Sequence, residues 1–318
     1  MEPSPSPSHN PKPSARKDPG HTSQQDPQTV RKPSARRSPC ETIALTRGQL
    51  GIVVAATALV TGLLIWAVTS IVSCATQPAS VQEPQPWVSP YDWENVTALE
   101  NGYLTYTKDG RTASEAGVDV SEHDGPIDWA AVKAGGADFA MVRVGYRGYG
   151  SGEIVRDTYF EANMRGAAEA GLKVGVYFFS QAVTAEEARE EARFVLDEIA
   201  RTGVQPTYPV VFDQEPITND SARTDSLTDE QLTSNALAFC KEIEAAGYQP
   251  MIYGNQHDLA RLDLSGELGN YDIWYAEYGV DEPTGQVDFT IWQHTASGTV
   301  SGIPTTEGQV DMNIRFLE

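Results

Sequence analysis

Cysteine is scarce in this chain. Cys40, Cys74 and Cys240 are the three among 318 residues, and they lie far apart. That spacing excludes a disulfide-stapled fold and a thiolate zinc cluster. Histidine is little commoner, at five, and neither residue accompanies the acids at ligand spacing, so the sequence implies no metal and no cofactor. Basic charge is also short. The first 47 residues hold eight Lys/Arg against four Asp/Glu, while the remaining 271 hold 15 against 40. A part that carries −25 excludes nucleic acid as a partner, because phosphate binding needs a basic surface.

Large apolar side chains are almost missing from residues 1–40, where Pro, Ser, Lys, Arg and Gln dominate. Such a segment buries too little surface to offset the entropy of ordering. Residues 1–47 are therefore expected to be a disordered basic tail, with the near-repeat of 12–19 at 32–39 a low-complexity duplication.

One long uncharged run is present. From Gln49 to Ala75 no side chain is charged, and about 20 such residues span the hydrocarbon layer as a helix. The segment 48–75 reads as a transmembrane helix. Arg47 and the basic tail precede it and acidic sequence follows, which places the N-terminus in the cytoplasm and the rest outside. A cleaved signal peptide fits poorly after so long a leader. The alternative is Ile71-Val72-Ser73-Cys74 as a lipobox, which would leave Cys74 lipidated and the helix removed. Either way the outer part stays tethered to the membrane. Proline-rich residues 76–93 read as a semi-rigid spacer. Residues 94–116 read as a small extension, with a hairpin between the turn signals Asn101-Gly102 and Asp109-Gly110.

From Gly117 onward, short β-branched or aromatic runs alternate with helical stretches, the pattern of a parallel α/β sheet. Eight strands are expected: 117–120, 139–144, 173–179, 209–212, 249–253, 272–277, 289–294 and 312–316. Helices are expected at 129–134, 156–170, 185–201 and 229–246. Thr184 with Glu187 and Thr228 with Gln231 form capping-box signatures, and Gly171 and Gly247 stand where left-handed C-caps are wanted. No long helix separates the last three strands. The fold class is thus an irregular eight-stranded (β/α) barrel over 117–318, with helices missing near the C-terminus.

Active sites of such barrels lie at the C-terminal strand ends. Four acids stand at or beside strand ends: Asp119, Asp213, Glu215 and Asp311. Alternate residues of an extended chain face one way, so Asp213 and Glu215 share a face with α-carbons roughly 6 to 7 Å apart. Crowded carboxylates raise one another's pKa, and glycosidic bond cleavage needs a carboxylic acid that keeps its proton near neutrality. Which end of the barrel Asp311 reaches is not set by the pattern. Aromatic residues crowd the same regions, and Tyr146, Tyr177, Phe179, Tyr253, Trp274, Tyr278 and Trp292 are candidates for a carbohydrate groove.

Several segments together resemble glycoside hydrolase family 25, the lysozymes or N-acetylmuramidases. They are Gly117-Val118-Asp119-Val120-Ser121, Gly125 to Trp129, Gly175 to Phe179, Asp213-Gln214-Glu215, Trp274-Tyr275-Ala276, Ile291 to His294, Gly302-Ile303 and Val310 to Asn313. The resemblance implies hydrolysis of the β-1,4 bond from N-acetylmuramic acid to N-acetylglucosamine, so the partner would be the glycan strands of peptidoglycan. It makes Glu215 the general acid and Asp213 the stabiliser of positive charge, acting directly or through the substrate's N-acetyl group. Asp119 and Asp311 become supporting carboxylates. Phe178 and His294 depart from the family pattern, in which His and Tyr are frequent. The residues leave open a wall-binding module without turnover, or a glycosidase for another N-acetylated glycan.

Overall fold

The computed structural model describes residues 46–75, 87–304 and 309–317. Residues 1–45 of the expected tail 1–47, and residues 76–86 of the expected spacer 76–93, lie outside the described residues. The chain divides into two compact units, Met1–Gln82 and Glu83–Glu318. The first contains helix α1, Arg47–Ala75. At 1.5 Å per residue its 29 residues extend about 43 Å, and Arg47–Ala67 is apolar and long enough to cross a membrane.

In the second unit a small antiparallel sheet comes first, of β1 (Val96–Ala98), β2 (Leu104–Lys108) and β3 (Arg111–Thr112). The barrel strands follow as β4 (Ser114–Val120), β5 (Phe139–Arg147), β7 (Lys173–Phe179), β8 (Val210–Asp213), β9 (Pro250–Gly254), β10 (Asp272–Ala276), β11 (Ile291–Gly298) and β12 (Val310–Phe316). They pair in the order β4-β12-β11-β10-β9-β8-β7-β5, and β5 pairs with β4 to close the eight-stranded ring. Short β6 (Ile154–Arg156) adds an antiparallel edge to β5. Helices α2 (Trp129–Ala134), α3 (Phe160–Glu169), α4 (Ala185–Thr202), α5 (Asp229–Ala245) and α6 (Gln256–Leu259) complete the unit.

Two corrections to the expected strands matter. Not all are parallel: β12 runs antiparallel to both β11 and β4. The other barrel pairings are parallel. Secondly, Arg156 begins no helix, because it ends β6, which pairs with Gly145–Arg147, and α3 starts only at Phe160.

Inside the ring, Phe139, Met141, Val211, Met251, Trp274 and Ile291 form a separate apolar cluster. Glycine makes room for it. A Cβ at Gly117 would stand 2.4 Å from the Phe139 ring, and one at Gly175 would stand 2.5 Å from the Met141 sulfur. Outside, helices bury their apolar stripes against the strands; in α4 these are Ala188, Ala192, Val195 and Ile199, at helical spacing. Thr184 and Thr228 each accept a hydrogen bond from the backbone N–H three residues on. The second arms of the expected boxes go elsewhere: Glu187 accepts from the Val183 N–H and Gln231 donates to Asn235. Gly171 and Gly247 adopt positive φ, at 80° and 86°, just past their helices.

Residues 87–93, expected to belong to the spacer, pack on the barrel's wall instead, because their aromatic rings find apolar partners there. Tyr91 stacks on Phe316 at 3.9 Å and its hydroxyl donates to the Phe289 carbonyl at 2.5 Å. Trp93 meets Trp292 edge-on at 6.0 Å, and Trp87 Nε1 donates to Asp288 at 3.0 Å. These aromatics cover β11 and β12, where no long helix does. A boundary between 116 and 117 would therefore cut through β4 and separate parts of one compact unit.

Candidate active site

The four acids converge. Asp119 lies near the end of β4, Asp213 ends β8, and Glu215 follows two residues later. Asp311 is the second residue of β12, and because that strand runs backwards its start lies at the C-terminal end of the parallel strands. Asp311 sits directly across from Asp119 in the ladder, so both side chains share the inner face. All four line one cavity of about 210 Å³, together with Arg143, Tyr177, Phe179, Tyr253, Trp274 and Gln293. A larger recess of about 510 Å³ opens at the opposite strand ends beside Tyr91 and Phe289, away from these acids.

Uncharged amides hold Asp119. Trp274 Nε1, which can only donate, bonds Asn313 Oδ1 at 2.7 Å. That fixes the Asn313 amide, whose Nδ2 donates to Asp119 Oδ2 at 2.8 Å. Gln293 is oriented the same way: Oε1 accepts from the hydroxyls of Tyr253 (2.8 Å) and Tyr278 (2.6 Å), and Nε2 donates to Asp119 Oδ2 at 2.9 Å. Burial pushes the Asp119 carboxyl well above the usual range, and Asp311 adds to this; the two amides pull the other way. Asp311 rises to about 6, again chiefly from burial, although its hydrogen bond with Asp119 opposes the rise.

The second pair is similar. Asp213 is 4 % exposed, and its Oδ1 is buried with no donor among the described residues. Burial pushes it well up, followed by the charges of Glu215, Asp119 and Asp258, while Arg143 draws it down. Burial and then Asp258 raise Glu215 to about 7, against the effect of its hydrogen bond with Asp213. Carboxyl groups so close raise one another's pKa, since each charge disfavours the next. The single cation on the cavity's lining, Arg143, is fixed by Asp157 (2.9 Å) and Glu122 (3.2 Å). Among the described residues no group of three or more His, Cys, Asp or Glu has the arrangement to hold a metal ion.

The aromatic candidates divide. Tyr177, Phe179, Tyr253 and Trp274 line the cavity, and Tyr278 reaches it through its bond to Gln293. Tyr146 instead lies beneath the Arg143 guanidinium, 5.5 Å from it. Trp292 does not join them. It is 1 % exposed, donates Nε1 to the Glu277 carbonyl at 2.9 Å and packs under Trp93. The cause is strand alternation: Gln293 faces inward, so Trp292 and His294 face outward. Phe178 also faces outward, against Phe194 of α4, so neither departure from the family pattern lines the cavity. Gln293, Asn313, Arg143 and Asp258 were missed from sequence. Gln293 and Arg143 had a usable signal, each being a polar residue inside a strand of apolar neighbours.

Comparison with known proteins agrees with this geometry. Lysozyme M1 of Streptomyces globisporus is 27% identical over 208 residues, covering 64% of this chain and 68% of that protein. The autolytic lysozyme of Clostridium acetobutylicum is 24% identical over 197 residues, and the match covers 62% of this chain but only 54% of that relative. The crystal structure of a bacterial lysozyme from Streptomyces coelicolor superposes with a TM-score of 0.51 at 26% identity, covering 64% of this chain and 91% of that one. The model of glycosyl hydrolases family 25 matches residues 118–303, which takes in the strand ends bearing Asp119, Asp213 and Glu215. On that match, over more than half its length, the chain belongs to glycosyl hydrolases family 25.

Proposed function

We propose that this chain is a lysozyme of the N-acetylmuramidase type, cutting the β-1,4 bond from N-acetylmuramic acid to N-acetylglucosamine in peptidoglycan. The observation that carries this is the Asp213–Glu215 pair, with Glu215 raised to about 7 beside a carboxyl to which it is hydrogen-bonded. Glu215 is the less buried of the two, so it is the one a glycosidic oxygen reaches. It donates its proton to that oxygen as the bond breaks.

The contact between the two carboxyls also bears on the second step. Enzymes that use a carboxylate nucleophile place it about 5 to 5.5 Å from the acid, across the scissile bond. Asp213 is instead hydrogen-bonded to Glu215, which does not suit a nucleophile set across the bond from the acid. The reading this supports is attack on the anomeric carbon by the substrate's own N-acetyl oxygen. With the proton of the pair on Glu215, Asp213 is the ionised partner; it accepts the acetamido N–H and stabilises the positive charge, and water then adds to the anomeric carbon, giving its proton back to Glu215. Asp119 and Asp311 hold substrate and tune the pair. The architecture is then an irregular (β/α) barrel with its site at the C-terminal strand ends.

The apolar helix α1 anchors this domain to the membrane with the N-terminus in the cytoplasm, so that the cleft meets the wall outside. Lipidation at Cys74 is the alternative anchor. Digestion of purified peptidoglycan followed by mass analysis of the products tests the bond specificity. A muramidase leaves N-acetylmuramic acid at every new reducing end; N-acetylglucosamine there would exclude this reading.

A further inference from the structure

The loop between β7 and α4 holds both ends of the segment that carries the acids. The Ser180 N–H donates to the Asp213 carbonyl at 2.6 Å. Next to it, Gln181 Nε2 donates to the Glu215 carbonyl at 3.0 Å. The amide has one orientation, because its Oε1 accepts from the hydroxyl of Thr224 at 2.8 Å. Turned over, it would set oxygen against the Glu215 carbonyl. Thr224 belongs to the same β8–α5 loop as Glu215, so one amide ties the two ends of that loop together.

This amide is itself well fixed. Ser180 and Gln181 are fully buried, and Thr224 is 3 % exposed. The Ser180 hydroxyl donates to Glu191 at 2.6 Å, and Arg147 Nε holds the other oxygen of Glu191 at 2.7 Å. Arg223, the neighbour of Thr224, donates to the Gln181 carbonyl at 3.3 Å and forks onto Glu187 at 2.9 and 2.8 Å. By contrast, the Glu215 carboxyl is hydrogen-bonded to the Asp213 carboxyl alone among the described residues. Its position is therefore set by that one bond and by its main chain. A reacting group misplaced by about 1 Å loses rate on the order of a hundredfold, so whatever fixes that main chain affects turnover.

The geometry points to Gln181 and Thr224 as positioning residues for the general acid, acting through the Glu215 carbonyl rather than touching substrate. This rests on the reading of Glu215 as the proton donor. Misplacing an acid slows bond cleavage only where the leaving group needs its proton, and kcat/KM reads that cleavage apart from the later attack of water. A glycoside whose leaving group is an acidic phenol departs without protonation, whereas the sugar alcohol of peptidoglycan does not.

The test measures kcat and KM of Thr224→Val, Thr224→Ser and Glu215→Gln on purified peptidoglycan and on an acidic-phenol aryl glycoside of the N-acetylated sugar. Calorimetry confirms that each variant is folded. Thr224→Val keeps the shape of threonine and lacks the hydroxyl. It is expected to lose about tenfold in kcat on peptidoglycan with KM unchanged, to keep its kcat/KM on the aryl glycoside, and to be rescued by Thr224→Ser. Equal loss on both substrates, or wild-type kcat on peptidoglycan, overturns the positioning role. Glu215→Gln separates this from the underlying reading. If it still turns over peptidoglycan, the acid assignment itself fails. If it is inactive there while Thr224→Val is normal, only the role of Thr224 and Gln181 fails.

Discussion

Asp119 on β4 and Asp311 on β12 face each other across an antiparallel rung of the barrel, and their carboxyls share a hydrogen bond. Two buried acids so placed do not both ionise without cost. Folding has raised their pKa values along with those of Asp213, Glu215 and Glu191. Groups raised in the folded state contribute stability fully below their unfolded pKa, near 4, and that contribution is lost as pH rises through the folded values. Here these are about 6 for Asp311 and about 7 for Glu215 and Glu191. Melting temperature should therefore fall between about pH 5 and pH 8. Asp311→Asn should flatten that fall while lowering activity. An equally steep decline in the variant would contradict the pairing.

Catalysis should follow the same protons in the opposite sense to a carboxylate base. The donor works only while protonated, so kcat/KM should decline on the alkaline side with a midpoint near the value of about 7 that burial gives Glu215. Rates of peptidoglycan solubilisation from pH 4 to pH 9, corrected for unfolding, provide the check; a rate still rising above pH 8 is incompatible with Glu215 as the acid.

Gln293 joins two phenols to Asp119. Gln293→Leu leaves the Tyr253 and Tyr278 hydroxyls and one carboxylate oxygen each short of a partner. The expected cost is about 1 to 3 kcal/mol of stability, with a larger fall in kcat than the fraction unfolded explains. Denaturant unfolding beside kinetics reads both, and unchanged values on both counts would show the network to be incidental.

Removal of residues 87–113 should do more than shorten the chain. It strips Tyr91, Trp93 and Tyr106 from Phe289, Trp292 and Phe316, exposing a contiguous apolar patch on the barrel wall. The truncated protein is expected to aggregate or to melt at much lower temperature. A soluble fragment from Ser114 onward with the parent's melting temperature would refute the role given to residues 87–113.

How much of this was legible in the sequence follows from what each residue's neighbours reveal. Asp119 and Asp213 were legible because each follows an apolar run, and the eight strands because turn residues and helices punctuate them. Asp311 was ambiguous, since a strand's direction in the ladder leaves no local mark; only pairing with β4 and β11 shows that β12 runs backwards. Trp292 was misplaced for a related reason. A barrel strand with packed interior and covered exterior is apolar on both faces, so alternation alone did not say which side Trp292 takes. Gln293 and Asn313 carry no charge and belong to no spacing rule. Gln293 stands out as a polar residue in an apolar strand, but which group it and Asn313 hold appears only once strands far apart in sequence bring them to Asp119.

Glu215 is the residue proposed to protonate a glycosidic bond of peptidoglycan. Release of reducing sugar from purified peptidoglycan by the intact protein, compared with Glu215→Gln, tests that role most directly. Steady release by the parent and a loss on the order of a hundredfold or more in the variant is the expected result. Release that the variant matches, or none from either, would contradict it.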